Sequence, residues 1–494
     1  MPDHPISLSS LDVKVPGVED AAQIESISVL QDYDVEEEIN VRKKTDYVLL
    51  PVLCLMLNVA YLDRTNIGNA RIQGMEKDLN MKGTDYNIAL FMFFIPYLLL
   101  DVPANILMRR FRPSRYLGTL MFFWGIVTIG EGVTQSYAGL VVCRVILGAL
   151  EAGYFPGAIY LLAMYYTRYE LHARMNIYYS AALLSTAFGG LLAYAIGHME
   201  NVGGYGAWRW IFILEGLLTV IVAIFSFFAL PDWPEQAKHL NEKEKAVLLA
   251  KLARDTKDYV ENKSTMQVLK ECLLDPKVYF SAFMYFGTAV TGSSSSYFLP
   301  TILKELGWTS LKAQYMSIPV WMTAWVASVI VGFGSDWMNH RWAFSVGPLT
   351  VAVIGYILLL CQDHISVGVK YFALFLIITG VWSAITLSLT WLNNNIMGKR
   401  RRGVATAILL AVGNCGSILG SNVYLSSEAP KYPTGYAVSL SSTILCQLAA
   451  TGFLIYAWYE NKQKASGARD HLLALPMEEQ AALGDKHPEY RYTY

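Results

Sequence analysis

The chain has 494 residues and a formal net charge of −1; hydrophobic residues make up 54% of it and charged residues only 16%. A soluble chain of this length would carry about 25% charged residues, so that class of protein is excluded. The balance of 39 basic and 40 acidic residues leaves no net field to attract nucleic acid, and no nucleic-acid partner is expected. Apolar blocks of about 20 residues, the length that crosses a bilayer as a helix, predict an all-α membrane protein with many spans.

Residues 1–45 precede the first apolar block, are polar and acidic, and lack the apolar core of a cleaved signal peptide. We predict a disordered cytoplasmic tail there, and the first helix then serves as the insertion signal. Twelve apolar segments follow, at residues 46–68, 86–107, 115–133, 137–164, 174–198, 208–230, 277–303, 313–336, 342–361, 368–396, 402–425 and 437–459. An even number of spans places both ends of the chain on one side of the membrane.

The basic residues identify that side. They concentrate in alternate loops, which carry Arg109, Arg110, Arg112, Arg115, Arg168, Arg174, Arg341, Lys399, Arg400, Arg401 and Arg402. Because cytoplasmic loops are rich in lysine and arginine, both termini are predicted to be cytoplasmic.

One long polar stretch, residues 231–276, separates the sixth and seventh segments and is rich in charged residues. This composition predicts a cytoplasmic linker with a surface helix. The linker divides the chain into an N-terminal six-helix bundle at 46–230 and a C-terminal six-helix bundle at 277–460, followed by a cytoplasmic tail at 461–494. Duplicated halves are typical of secondary transporters.

Neither the cysteines nor the short motifs favour an enzyme or a metal site. The six cysteines are scattered singly, without a C-x-x-C pair, and are interpreted as small buried hydrophobic residues. The chain has no G-x-x-x-x-G-K-[ST] loop for ATP phosphates and no H-E-x-x-H or G-x-S-x-G motif for hydrolysis. We therefore predict no catalytic residue, no metal and no cofactor.

Ionisable side chains inside the apolar segments are the strongest functional signal, because each costs about 2.5–3.5 kcal/mol on insertion scales. Tyr61, Asp63 and Arg64 lie in the outer part of the first segment, and Arg144 and Glu151 lie in the fourth. Seven residues are nearly two helical turns, so Arg144 and Glu151 should share one helix face about 10 Å apart.

A proton-coupled carrier of an organic anion needs a fixed cation for the substrate carboxylate and an acid that changes charge during the cycle. Arg144 suits the first task because a guanidinium stays protonated and binds a carboxylate with two donors. Glu151 suits the second task because a buried carboxyl group beside an arginine can gain and lose a proton. The alternative is that Arg144 and Glu151, or Asp63 and Arg64, only neutralise one another for insertion and packing. Spacing alone leaves both interpretations open.

Other polar residues in the segments give a weaker signal. Tyr97, Asn414, the run Ser293–Ser296 with Tyr297, and the run Asn393–Asn395 could line a cavity, but serine and asparagine in membrane helices more often bridge helices. Glu215 follows Trp208-Arg-Trp, which is interpreted as an anchor at the membrane interface.

These motifs together resemble the major facilitator superfamily. The stretch Arg144 to Pro156, Arg-x-x-x-Gly-x-x-Glu-Ala-Gly-x-x-Pro, is similar to that of its anion:cation symporters. The similarity to a fungal branch that includes allantoate, nicotinate and pantothenate permeases extends from about residue 46 to 460. Its markers are Tyr61-Leu-Asp-Arg-Thr-Asn-Ile-Gly-Asn-Ala, Phe94-Ile-Pro-Tyr, Val102-Pro-Ala-Asn, Trp208-Arg-Trp-Ile-Phe-Ile-Leu-Glu-Gly and Ala429-Pro-Lys-Tyr-Pro-Thr-Gly-Tyr.

The resemblance implies twelve transmembrane helices in two six-helix bundles, the major facilitator fold, around one central site that opens alternately to either side. It implies that Asp63 and Glu151 carry protons. It also implies that Arg64 and Arg144 hold substrate or couple it to protons, with Tyr61, Tyr97 and Asn414 lining the cavity.

The resemblance further implies a cytoplasmic gate. The superfamily's Gly-x-x-x-Asp loop motif with a following basic residue is kept at Gly332, Asp336 and Arg341. After the second segment the motif is altered, because Asp101-Val-Pro-Ala-Asn105 replaces its glycine-led start. Asp101 is expected to pair with basic residues at neighbouring cytoplasmic helix ends.

The predicted function is proton-coupled uptake of a small organic anion across the plasma membrane by a monomer in the lipid bilayer. Nicotinate, pantothenate and allantoate are examples of a suitable monocarboxylate. Efflux of an acidic metabolite and a nutrient receptor that does not transport stay open as alternatives.

Overall fold

The computed structural model describes residues 35–108, 110–256, 265–338, 340–476, 480 and 483–494. Regular structure in these residues is helical. A π-helical segment, Arg71–Met75, continues the first helix. In chain order the α-helices are α1 (Val35–Ala70), α2 (Glu76–Asp78), α3 (Asp85–Met108), α4 (Pro113–Val133), α5 (Tyr137–Glu151), α6 (Tyr154–Tyr165), α7 (Arg168–Ile196), α8 (Ala207–Ala229), α9 (Glu242–Thr256), α10 (Thr265–Leu273), α11 (Pro276–Glu305), α12 (Ser310–Met338), α13 (Arg341–Leu360), α14 (Val367–Asn394), α15 (Lys399–Asn422) and α16 (Pro433–Ala465).

Eleven spans among the described residues are long and apolar enough to cross a membrane. α5 and α6 form one of them, Tyr137–Tyr165. α11 is outside this group although it has 30 residues, because its serine, threonine, glycine and tyrosine residues, including the run Ser293–Ser296, lower its mean hydropathy. The predicted all-α membrane fold is confirmed.

Local sequence explains where several of these helices begin. Pro113 and Pro276 occupy the first turns of α4 and α11, where a missing N–H costs nothing. The Ser136 hydroxyl accepts a hydrogen bond from the Gly139 N–H at 3.2 Å and caps α5. Asp275 caps α11 in the same way, accepting from the Lys277 N–H at 3.1 Å.

The long helices pack as two groups, which we call the N-terminal half (α1–α8) and the C-terminal half (α11–α16). Within the first, α4 packs on α8, α3 on α5, and α1 on both α7 and α8. Within the second, α11 packs on α15 and α16, and α13 packs on α14. The halves meet where α7 contacts α12, α3 contacts α15, and α1 contacts α11.

We call the end of the molecule that carries residues 231–276 the linker side, and the opposite end the far side. α9 in the linker packs on the adjacent ends of α1 and α7, since Lys44 binds Glu244 at 2.8 Å and Lys251 binds Glu170 at 2.6 Å. α1 therefore starts on the linker side and ends on the far side.

The two halves are joined by hydrogen bonds on the far side. Arg71 donates to the Ser426 hydroxyl at 3.0 Å, and Asn87 donates to the Ser421 carbonyl at 2.8 Å. The side chains of Gln73 and Gln314 bond at 2.9 Å. These contacts close the molecule at that end.

The described residues at both ends of the chain contact the rest of the molecule. Residues 1–34 lie outside the described residues, but residues 35–45, predicted as disordered, belong to α1. Ion pairs connect this segment to the linker, since Glu37 binds Lys243 at 2.6 Å and Lys44 binds Glu244.

The C-terminal tail folds onto the linker side of the C-terminal half. Asp485 is fully buried and binds Lys277 and Arg401. Nearby, the Thr493 carbonyl accepts from Trp391 Nε1 at 2.9 Å. The tail thus ties together the ends of α11, α14 and α15.

Candidate functional site

A central cavity of about 1700 Å³, counting its open mouth, lies between the two halves. Many of its lining residues are aromatic, and serine and asparagine side chains supply polar groups. Asp101 near the end of α3, Asn176 near the start of α7, and Gly332 near the end of α12 all line it. These helix ends lie on the linker side, so the cavity opens there and is closed on the far side.

Arg64 reaches this cavity from α1. Its Nη2 donates to Glu151 Oε2 at 2.7 Å and its Nε donates to the same oxygen at 3.2 Å. The guanidinium lies 4.9 Å, 5.0 Å and 5.5 Å from the ring centroids of Phe93, Tyr97 and Tyr61. The Arg64 side chain is 19% exposed and that of Glu151 only 1%. Arg64 therefore faces the cavity, with Glu151 behind it.

Arg144 has a different partner from the one its spacing suggested. Its Nη2 donates to Glu131 Oε2 at 2.9 Å, and both side chains are buried. Its guanidinium also lies 5.8 Å from the Phe212 ring centroid on α8. Arg144 is absent from the cavity lining, because Glu131 at the end of α4 holds it inside the N-terminal half.

Asp63 is fully buried one residue before Arg64. Its Oδ2 accepts from Trp124 Nε1 at 3.1 Å and from the Thr219 hydroxyl at 2.7 Å. Asp63 and Arg64 therefore point to different surroundings, and Asp63 has no ion pair within the described residues. The alternative that these two neutralise each other does not describe this state.

The predicted cavity residues Tyr61, Tyr97 and Asn414 line the cavity, and so do Ser293, Ser296 and Tyr297. Two of the predicted gate residues have different surroundings. Asp101 faces the cavity and has no ion pair among the residues that the structure describes, whereas Arg341 is buried and donates to Ser335 at 3.0 Å. The Asp336 side chain lies outside the described part of the molecule.

Two functional candidates are not among the predicted site residues. Glu131 is an acidic residue inside the third apolar segment, which is the same signal that identifies Glu151. Glu215 was assigned to the membrane interface, but it is 2% exposed and accepts a hydrogen bond from Asn66 inside the N-terminal half. Further cavity residues, such as Tyr285 and Asn176, have no distinctive sequence pattern.

Metal binding finds no support in the described ranges, where no group of three or more histidine, cysteine or acidic side chains is arranged to hold a metal ion.

Comparisons with known proteins identify similar chains of similar length. The family model described as Major Facilitator Superfamily matches residues 53–421. An uncharacterised transporter of Schizosaccharomyces pombe is 34% identical over 459 residues, which cover 93% of this chain and 91% of that one. The MFS-type transporter cnsO of Penicillium expansum is 35% identical over 465 residues, covering 91% and 90%.

Two solved structures have a similar fold. A bacterial homolog of the human lysosomal transporter Spinster, inward-facing and unoccupied, aligns with a TM-score of 0.63 at 17% identity, covering 83% of this chain and 96% of that one. The xylose transporter XylE from E. coli, in a partially occluded inward-open conformation, aligns with a TM-score of 0.62 at 14% identity, covering 81% and 96%.

Proposed function

The chain belongs to the Major Facilitator Superfamily, and we propose that within it the protein is a plasma-membrane symporter that takes up a small organic anion with protons. Membership makes it a multi-pass membrane transporter rather than an enzyme. The proposal assigns it to the anion:cation symporters, in the branch of allantoate, nicotinate and pantothenate permeases. Its linker side and both termini would face the cytoplasm, and the transporter would act as a monomer.

The observation that carries the proposal is the Arg64–Glu151 pair at the cavity wall. A guanidinium stays charged and offers two donors to a carboxylate. Arg64 faces a cavity whose other walls are largely aromatic and neutral polar. A small molecule with one carboxylate and an apolar or hydrogen-bonding body suits this lining.

Competition for Arg64 would couple substrate to protons. Protonation of Glu151 removes its negative charge and weakens its hold on Arg64, which then binds the substrate carboxylate. Loss of that proton restores the Arg64–Glu151 pair and displaces the substrate. Only the loaded or the empty site would permit the change between outward-open and inward-open states, which links the two fluxes.

Other residues would have supporting roles. Asp63 would carry a second proton, while Tyr61, Tyr97 and Asn414 would contact the substrate. Arg144 would act through Glu131 as a coupling cation, since it does not line the cavity in this state. Asp101, Asp336 and Arg341 would form the cytoplasmic gate.

The experiment that tests the proposal is uptake of labelled nicotinate, pantothenate and allantoate into cells that express the chain. Uptake is measured at acidic outside pH, with and without a protonophore. We expect one compound to accumulate and its accumulation to collapse with the protonophore. Accumulation that is unchanged by the protonophore would contradict proton coupling.

The same cells separate the two alternatives. Net loss of a preloaded carboxylate, faster than in cells without the protein, would indicate efflux. Ligand-dependent signalling without flux in either direction would indicate a receptor.

A further inference from the structure

Glu215 is an acidic residue buried in the N-terminal half, on the face of α8 that packs against α1. Its Oε2 accepts a hydrogen bond from Asn66 Nδ2, and its side chain lies outside the cavity lining. Its second oxygen, Oε1, is also buried and has no hydrogen-bond partner among the described residues. The Asn66 carbonyl oxygen, Oδ1, is buried and unpartnered in the same way.

A proton on Glu215 would allow a hydrogen bond between the two unpartnered oxygens, Glu215 Oε1 and Asn66 Oδ1. An ionised carboxylate has only acceptor oxygens, as does the Asn66 carbonyl, so neither can satisfy the other. A carboxylic acid adds one O–H donor and complements a carboxamide, which has both an acceptor and a donor. Protonation therefore changes Glu215 and Asn66 from a half-satisfied pair into a complementary one.

The surrounding charges also favour the neutral acid. The packed helices carry four other buried charged side chains, Asp63 on α1, Glu131 on α4, and Arg144 and Glu151 on α5, together with the partly exposed Arg64 on α1. Both arginines have carboxylate partners, since Arg64 binds Glu151 and Arg144 binds Glu131. Glu215 has no ion pair within the described ranges, and a buried ion without a partner is strongly disfavoured.

Thr219 connects Glu215 to Asp63. It follows Glu215 by one helical turn, and its hydroxyl lies 2.7 Å from Asp63 Oδ2 and 2.9 Å from the Glu215 backbone carbonyl. Asn66, the partner of Glu215, follows Asp63 by three residues on α1. The two acids therefore occupy adjacent turns of one contact between α1 and α8.

We infer that Glu215 is a carboxylic acid that holds a proton while the cavity is open on the linker side, and that it forms a further proton site next to Asp63. Asn66 is its hydrogen-bond partner, and Thr219 is its link to Asp63. The place of this proton in coupling rests on the proposed symport; the protonation itself does not.

Infrared difference spectroscopy of the full-length protein in lipid at neutral pH tests this inference. We expect Glu215→Gln to lose one carboxylic-acid C=O band, a band that shifts when the protein is transferred to D₂O. The matched control is Glu244→Gln, which removes a carboxylate paired with Lys44 on the surface and should leave all carboxylic-acid bands in place. Loss of carboxylate bands instead in Glu215→Gln would overturn the inference.

A second variant covers the case in which Glu215→Gln does not fold. Asn66→Ala keeps the acid but removes its amide partner, so the same C=O band should move to higher frequency. Unchanged carboxylic-acid bands in Asn66→Ala would also overturn the inference. Because these spectra need no substrate, accumulation that is unchanged by the protonophore, with the Glu215 band present, rejects the proton coupling alone.

Discussion

Arg64 and Glu151 form an ion pair with an incomplete set of hydrogen bonds. Two nitrogens of Arg64 donate to Glu151 Oε2, while Glu151 Oε1 is buried without a partner in the described residues. A bidentate arginine–carboxylate pair would use both carboxylate oxygens. The weaker geometry leaves Arg64 able to exchange Glu151 for another carboxylate.

Glu151→Gln tests this exchange directly. Glutamine keeps the size of the side chain but removes the charge, so Arg64 stays available and the proton-dependent competition is lost. We expect accumulation driven by a pH gradient to disappear, while exchange of labelled for unlabelled compound across proteoliposomes continues. Glu244→Gln serves as the control with normal accumulation. Wild-type accumulation in Glu151→Gln would reject Glu151 as a proton carrier.

Arg144 and Glu131 form a second pair that is more deeply buried than the first. Arg144→Leu leaves Glu131 buried without a cation, and breaking a buried pair costs about 3–5 kcal/mol. The double variant Glu131→Leu with Arg144→Leu removes both charges and should recover most of that stability. Thermal unfolding in detergent measures the stability of the single and the double variant. A double variant that is no more stable than Arg144→Leu would contradict the pairing.

Between helices, close approach depends on small residues at particular places. Gly148 lies where α5 meets α3, and a Cβ atom there would be 2.0 Å from the Phe93 carbonyl oxygen. This contact brings α5, which carries Arg144 and Glu151, against the helix that supplies Phe93 and Tyr97 to the surroundings of Arg64.

Gly148→Ala should therefore force α3 and α5 apart. Overpacking of this kind costs about 1–3 kcal/mol, and we expect a lower unfolding temperature together with weaker uptake. The matched control is Gly403→Ala in α15, where a Cβ atom meets nothing within 4 Å. Equal stability of the two variants would contradict the close packing.

The ion pairs that hold the C-terminal tail on the C-terminal half should depend on pH in a defined way. Burial alone raises the pKa of Asp485, but Lys277 and Arg401 outweigh it and lower the pKa below its ordinary value. A lowered pKa in the folded state gives a stabilisation that is present above the ordinary pKa of 3.8 and is lost as the pH falls through the lowered value. The ion pairs of Asp485 should thus persist throughout the physiological pH range.

Asp485→Asn should release the tail, because Lys277 and Arg401 lose a buried counter-charge. We expect faster hydrogen exchange in residues 484–494 at neutral pH, whereas the wild-type tail stays protected and its protection is unchanged down to about pH 5. Asp470→Asn, at an exposed position in the same tail, is the control. Equal exchange in Asp485→Asn and wild type would show that the ion pairs do not hold the tail.

At the scale of the whole molecule, the far-side contacts hold the two halves together in a state whose cavity opens on the linker side, one of the two states of the proposed alternating access. Gln73 and Gln314 meet across the halves there, while the linker side of the cavity is open. Any motion that opens the far side must separate this pair.

A bifunctional thiol reagent between Gln73→Cys and Gln314→Cys should trap the molecule in this state. We expect uptake to fall to background after cross-linking and to return after reduction, in a background where the exposed Cys361 and Cys415 are serine. The single variants are the controls. Full uptake with the cross-link intact would mean that the far side does not open during transport.

Sequence patterns alone predicted most of the fold. Apolar segments of membrane-spanning length predicted the long helices, because a helix in lipid must satisfy its backbone internally and present apolar side chains. The rarity of charge in such segments also directed attention to Asp63, Arg64, Arg144 and Glu151. The patterns did not indicate the structure at the ends of the chain, where residues 35–45 continue α1 and the C-terminal tail is held by ion pairs with distant residues.

The partners of the buried charges were decided only by the tertiary structure. Spacing along one helix suggested that Arg144 and Glu151 belong together, but Arg144 binds Glu131 on α4 and Glu151 binds Arg64 on α1. The type of a residue defines its charge, and its position in a helical segment defines its helix face. For this reason the sequence identified the candidates. The partner of a buried charge depends on the helices packed beside it. These helices are far apart along the chain, since 87 residues separate Arg64 from Glu151.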